Sequence, residues 1–256
     1  MMLRRLNAWM SGGGERAAPP EWQDVMAPPA GCDRSVEVQQ RDAARRARAR
    51  ADAEAREAEA RLRQTQRPRP DLPTGAVWAQ RPTAWHQATE DPIRIGPANG
   101  TRITPDLTLF HDCPKAEMIL RQSLAPASAP APFALILDTL HFEGSFLSLV
   151  TGLPDSEAAA LSDRDVLRIE LRLEASAPTK LYGRLNMEQG PNTAQMLSEF
   201  SAPESGTCHA AFDLAYGDLR AQPVDHAWID LIVERPAMLR LTLHDVLLSR
   251  YPRAEM

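Results

Sequence analysis

From Asp91 onward, apolar and polar residues alternate in short runs separated by Pro, Gly, Asn and Asp. Side chains on a strand point to opposite faces in turn, so each run reads as a half-buried strand. The clearest is Leu167–Glu174, where Leu167, Ile169, Leu171 and Leu173 share one face and Arg168, Glu170, Arg172 and Glu174 the other. The same rhythm predicts strands at 93–95, 102–110, 133–142, 145–153, 166–175, 180–188, 207–216, 226–234 and 238–248. Near the end, Ile229, Leu231 and Val233, then Leu239, Leu241 and Leu243, flank Arg235-Pro236, a spacing that predicts an antiparallel hairpin. Short strands without long helices between them predict a mainly β chain with an antiparallel β-sandwich over 91–253. Within it, 193–200 reads as a helical turn.

Ahead of the strands the pattern changes. Leu3, Leu6, Trp9 and Met10 fall on one face of a two-turn helix stopped by Gly12-Gly13-Gly14, and residues up to 34 read as linker. A helix this short needs a surface to fold against: its own domain, a partner groove or a membrane surface. Residues 35–66 are mostly Ala, Arg, Glu, Asp and Gln, strong helix formers with supporting pairs Asp42–Arg46, Asp52–Arg56, Glu57–Arg61 and Glu59–Arg63. Without a coiled-coil seam, this segment reads as a long solvated helix. Residues 67–90 carry Trp78 and Trp85 among prolines and read as a segment wrapped on the sandwich.

Charge narrows the partners. Residues 1–70 hold 14 Lys/Arg and 10 Asp/Glu, the remainder 15 and 24, so the β region is acidic and no nucleic acid is expected to bind it. Three cysteines at unrelated spacings make no disulfide framework, and the start lacks a secretory apolar run, so a bacterial cytoplasmic location is expected. No nucleophile elbow, zinc-protease, P-loop or dinucleotide motif occurs. His141, Glu143, His226, Asp230 and His244 are the residues that folding could gather for catalysis. His111 and Cys113 share a strand face, but Cys208 and His209 are adjacent and point apart, so neither a metal nor a cofactor is expected.

For a sugar site the best stretch is Leu181–Met187, whose outward face would present Tyr182, Arg184 and Asn186 together. Asn192 on the next loop and Arg168 and Arg172 on a neighbouring strand complete the candidate set.

The blocks FEGSFLSLVTGLP, LRIELRLE, RLNMEQGPN, AFDLAYGDL and WIDLIVERPAM resemble an alphaproteobacterial family known as a domain of unknown function. The closing run Leu241-Thr242-Leu243-His244-Asp245-Val246-Leu247-Leu248 is similar to the last strand of galactose-binding-type jelly rolls and of carbohydrate-binding modules built on them. That second resemblance implies a jelly-roll-like layout and a glycan ligand. The expectation is therefore a non-catalytic sandwich that binds a protein or a glycan, with the amino-terminal helices as a tether. The alternatives are a dedicated carbohydrate-binding module and a hydrolase without a recognised motif.

Overall fold

The structure is a computed structural model and describes residues 34–63, 72–200, 205–219 and 222–253. The chain divides into two compact units between Arg46 and Ala47, inside a continuous helix that runs Arg34–Arg63. In the first unit the helix is largely exposed, Val36 and Val38 included. In the second, one face of the helix is covered: Ala53 and Ala60 are buried, and between them Arg56 donates to the Gln122 Oε1 at 3.2 Å and to the Thr89 carbonyl. Glu57 on the same face accepts from the Ala88 N–H at 3.1 Å. The helix is thus solvated over most of its surface but docked along the Ala53–Ala60 stripe, because alanines let it approach closely. Leu3, Leu6, Trp9 and Met10 lie outside the described residues.

Among the described residues of the second unit, thirteen strands form two sheets, all neighbours antiparallel. They are β1 (Trp78–Gln80), β2 (Ile93–Ile95), β3 (Thr101–Thr104), β4 (Leu107–His111), β5 (Glu117–Leu124), β6 (Phe133–His141), β7 (Phe146–Gly152), β8 (Asp165–Ala175), β9 (Leu181–Gln189), β10 (Asn192–Glu199), β11 (Ser205–Asp213), β12 (His226–Glu234) and β13 (Leu239–Pro252). One sheet has the order β11-β8-β13-β6-β5-β2, with β1 added on β13; the other runs β10-β9-β12-β7-β4-β3. The core lies between them. Leu167, Ile169, Leu171 and Leu173 are fully buried from one side, and Leu181, Leu185, Ile229, Leu231 and Val233 from the other. The protein is a β-sandwich, as the alternation predicts.

Three local readings change. First, β12 and β13 do not pair as a hairpin. β12 lies between β7 and β9, while β13 lies in the opposite sheet between β8 and β6. The connection Arg235–Met238 carries the chain across the sandwich, with Arg235 and Met238 at φ 44° and 52°. Two runs with one apolar face each can bury those faces against each other as well as side by side. Second, β5 escaped the pattern because Gln122 occupies an inward position after Met118 and Leu120. Third, 192–199 is edge strand β10 rather than a helical turn. Gly190, at φ 59°, turns the chain back with Pro191, and every residue from Asn192 to Glu199 pairs with β9.

Trp85, in the short helix Thr83–His86, is buried and donates its indole N–H to the Leu243 carbonyl at 3.0 Å. At the β4–β5 and β6–β7 loops, Asp112 accepts from the Ser145 N–H and hydroxyl and from the Phe146 N–H at 2.6–3.2 Å. Gly144 is needed there because a Cβ would strike the Asp112 carboxylate, the Phe142 ring at 2.8 Å and the Cys113 nitrogen at 2.9 Å. Desolvation pushes the Asp112 carboxyl up, but the bonds from Ser145 and Phe146 outweigh it and hold it below its ordinary value of 3.8. A lowered folded value means this contribution is full above the ordinary value and is lost as pH falls through the lowered one. Asp112→Asn is therefore expected to flatten the acid limb of a stability-versus-pH curve measured by urea unfolding.

Candidate functional site

The outer face of the six-stranded sheet carries the site. Strand parity turns Tyr182, Arg184, Asn186 and Glu188 of β9 outward, opposite the inward Leu181, Leu185 and Met187. Register then builds rows across the sheet. Glu199, Tyr182, Ile232, Ser148 and Phe110 form one. Leu197, Arg184, Asp230, Val150 and Thr108 form the next, and Gln195, Asn186, Trp228 and Gly152 the third. Neighbouring strands lie about 4.8 Å apart, so the side chains of a row touch.

A polar relay runs through these rows. Arg184 donates from Nε to one oxygen of Asp230 at 2.6 Å, and its Nη2 lies 2.5 Å from the same oxygen as an ion pair. Asn186 donates to the same oxygen at 3.2 Å and accepts from Gln195 at 2.9 Å. The Asp230 side chain is only 3% exposed while that of Arg184 is 42% exposed, so the guanidinium is the presented group. The Tyr182 hydroxyl donates to Glu234 at 3.4 Å. Desolvation first, then the fields of Glu199 and Glu234, push its phenol above the ordinary value, against the opposing Lys180. Tyr182, Arg184, Gln195, Met196, Leu197 and Ile232 line an open groove of about 530 Å³.

The predicted residues separate on this frame. Tyr182 and Arg184 line the groove, and Asn186 lies on the same face but is buried beneath its neighbours, where it positions the others. Arg168 and Arg172 do not join them: they stand on β8, in the seven-stranded sheet, where Arg168 bonds Glu170 at 3.1 Å. The alternation of β8 marked both as outward without marking which sheet they belong to. Asn192 faces Gln189 at the hairpin end, on the opposite parity from Gln195, and stays out of the groove. Gln195 and Leu197 were missed because their strand was read as helical. Asp230 and Ile232 were legible as one face of 226–234, but their pairing with β9 was not.

The residues considered for catalysis are dispersed. His141 pairs with Glu143 at 3.1 Å, His226 with Asp155 at 3.4 Å and His244 with Glu174 at 3.3 Å, while Asp230 serves Arg184. His111 is buried with its Nε2 at 3.1 Å from the Pro97 carbonyl, and the Cys113 sulfur accepts from the Glu143 N–H. Cys208 lies in β11 of the other sheet, where burial, then the Glu170 charge, push its thiol up to about 11. Among the described residues, no three His, Cys, Asp or Glu side chains form a metal-binding group. No helix among them is long and apolar enough to cross a membrane.

Fold and groove together define a two-sheet antiparallel sandwich with an open groove on the outer face of one sheet. The family model that matches residues 2–256 is a family of unknown function, DUF6478, and the chain belongs to that family. No curated protein matches it. Among solved structures it is similar to the enzymatically active domain of bacteriophage CBA120 tailspike protein 4, at 9% identity and TM-score 0.40, over 58% of this chain and 19% of that one. It is also similar to the family 11 carbohydrate-binding module of Clostridium thermocellum in complex with a β-1,3-1,4-mixed-linked tetrasaccharide, at 9% identity and TM-score 0.36, over 64% and 99% of the two chains. A third is the CBM22-1 xylan-binding domain of Paenibacillus barcinonensis Xyn10C, at 12% identity and TM-score 0.38, over 63% and 96%. These are likenesses of layout, and the chemistry of the groove is read from its own side chains.

Proposed function

We propose that this protein is a non-catalytic binding module whose six-stranded face holds a stretch of glycan chain. The observation that carries the reading is the open groove in which a phenol ring, two aliphatic side chains and a planar guanidinium and amide stand side by side. A sugar ring offers an apolar C–H face and an edge of hydroxyls. Tyr182, Ile232 and Leu197 suit the first; Arg184 and Gln195 suit the second. The groove is shallow rather than enclosed, which fits a segment of polymer better than a small molecule. Cytoplasmic residence belongs to the same proposal, and the free, buried Cys113 and Cys208 support it.

A glycan array with the full chain tests the reading. Tyr182→Ala is expected to weaken retention of the bound glycan by about tenfold or more, with an unchanged far-UV spectrum, since the ring is only half-buried. Wild-type protein retained by no glycan sinks the proposal. A protein partner is the second reading, favoured by Leu197, Phe110 and Phe146, which stand exposed on the same sheet; a cross-link to a partner through that face would establish it.

A further inference from the structure

Charge on the two outer faces is handled differently. On the seven-stranded sheet, Glu170 pairs with Arg168, and Asp138 with Arg121 and Arg240. On the groove face, Glu188 and Glu199 have no cationic partner among the described residues, and Glu234 contacts the Tyr182 hydroxyl. The groove's arginine is committed: its Nε bonds Asp230 and its Nη2 is ion-paired with the same oxygen. Asp230 in turn is covered by Arg184 and Asn186, so the pair behaves as one neutral unit with a donor edge turned outward. Lys180, exposed at the entry to β9, opposes Glu199 and Glu234 at the Tyr182 phenol. Another cation of the face, Arg102, is exposed on β3 in the Arg184 row, four strands away from the groove.

We infer that the groove selects an uncharged glycan chain and rejects uronate-bearing or sulfated ones, with Asp230 as the positioning residue that sets this selectivity. The inference rests on the glycan reading above. Arg184 acts as a hydrogen-bond donor to hydroxyls because its charge is already spent on Asp230. The carboxylates of Glu188, Glu199 and Glu234 raise the free energy of any carboxylate or sulfate brought alongside. Discrimination comes from this repulsion as much as from attraction.

Affinity electrophoresis of the full chain tests it, with gels carrying mixed-linkage β-1,3-1,4-glucan, xylan or β-1,4-galactan as neutral polymers and polygalacturonate or alginate as anionic ones. The wild type is expected to favour at least one neutral polymer over every anionic one by about tenfold or more, most strongly at low salt. Asp230→Asn frees the Arg184 charge and is expected to narrow that ratio by about tenfold. Glu199→Gln with Glu234→Gln, both away from the core, removes repulsion without touching Arg184 and narrows the ratio even where the Asp230 variant fails to fold. Anionic polymers held as tightly as neutral ones by the wild type, or an unchanged ratio in the folded variants, overturns the inference and leaves the groove reading standing. Retention by no polymer of either kind removes the groove reading and this inference with it.

Discussion

Asp245→Ala is expected to lower the free energy of unfolding by about 3–5 kcal/mol, the cost of leaving a buried charge without its partner. Asp245 follows a register shift in β13: before it Leu239, Leu241 and Leu243 point inward, and after it Val246 and Leu248 do. The bulge turns the carboxylate toward Arg81, which it grips bidentately at 2.7 and 3.0 Å, with side chains only 10% and 12% exposed. Arg81 directly follows β1, so the pair fastens the wrapped segment to the strand it covers. Among the described residues the Arg81 Nη1 has no hydrogen-bond partner, which leaves the guanidinium dependent on this one carboxylate. A typical domain is stable by about 5–15 kcal/mol, so the loss takes a large share. Urea unfolding of Asp245→Ala, Arg81→Met and the double variant decides the matter. A double variant markedly more stable than Asp245→Ala is the expected signature, and a loss below about 1 kcal/mol in Asp245→Ala would rule the account out.

Gln122→Leu should cost about 3 kcal/mol or more, although leucine fills a similar volume in an inward position. The amide is a junction. Its nitrogen donates to the Ala84 and Gln87 carbonyls at 2.8 and 2.7 Å, and its oxygen accepts from the Thr89 N–H at 2.8 Å and from Arg56 at 3.2 Å. Removing it strands two carbonyls and one N–H in a buried place, each worth about 1–3 kcal/mol. Arg56, whose guanidinium is already lowered by desolvation, loses one of its two anchors as well. Hydrogen exchange should therefore accelerate over 84–89 and along the Ala53–Ala60 stripe in Gln122→Leu, beyond any global change. Protection unchanged in those two stretches would show that the junction carries no local load.

Much of the fold was legible because burial on one side imposes a rhythm of two. β8, β9 and β12 lie within a residue or two of their predicted bounds, with the predicted inward faces. The rhythm failed where a polar side chain occupies the interior, as Gln122 does in β5, or where an edge strand needs little burial, as β10 does. The site shows the same division. Tyr182, Arg184 and Asn186 could be grouped because they alternate within one strand. Asp230, Gln195 and Leu197 could not be added, because their places depend on which strands neighbour β9.

By itself, the order of residues determined which side of each strand is covered and that the covered sides require two stacked layers. Only the tertiary structure decided layer membership: that β13 crosses away from β12, that Arg168 and Arg172 stand behind the groove rather than in it, and that Asp230 meets Arg184. The reason is one of range. Alternation is imposed by geometry two residues apart, whereas pairing is chosen among strands tens of residues apart by how all their apolar faces close together.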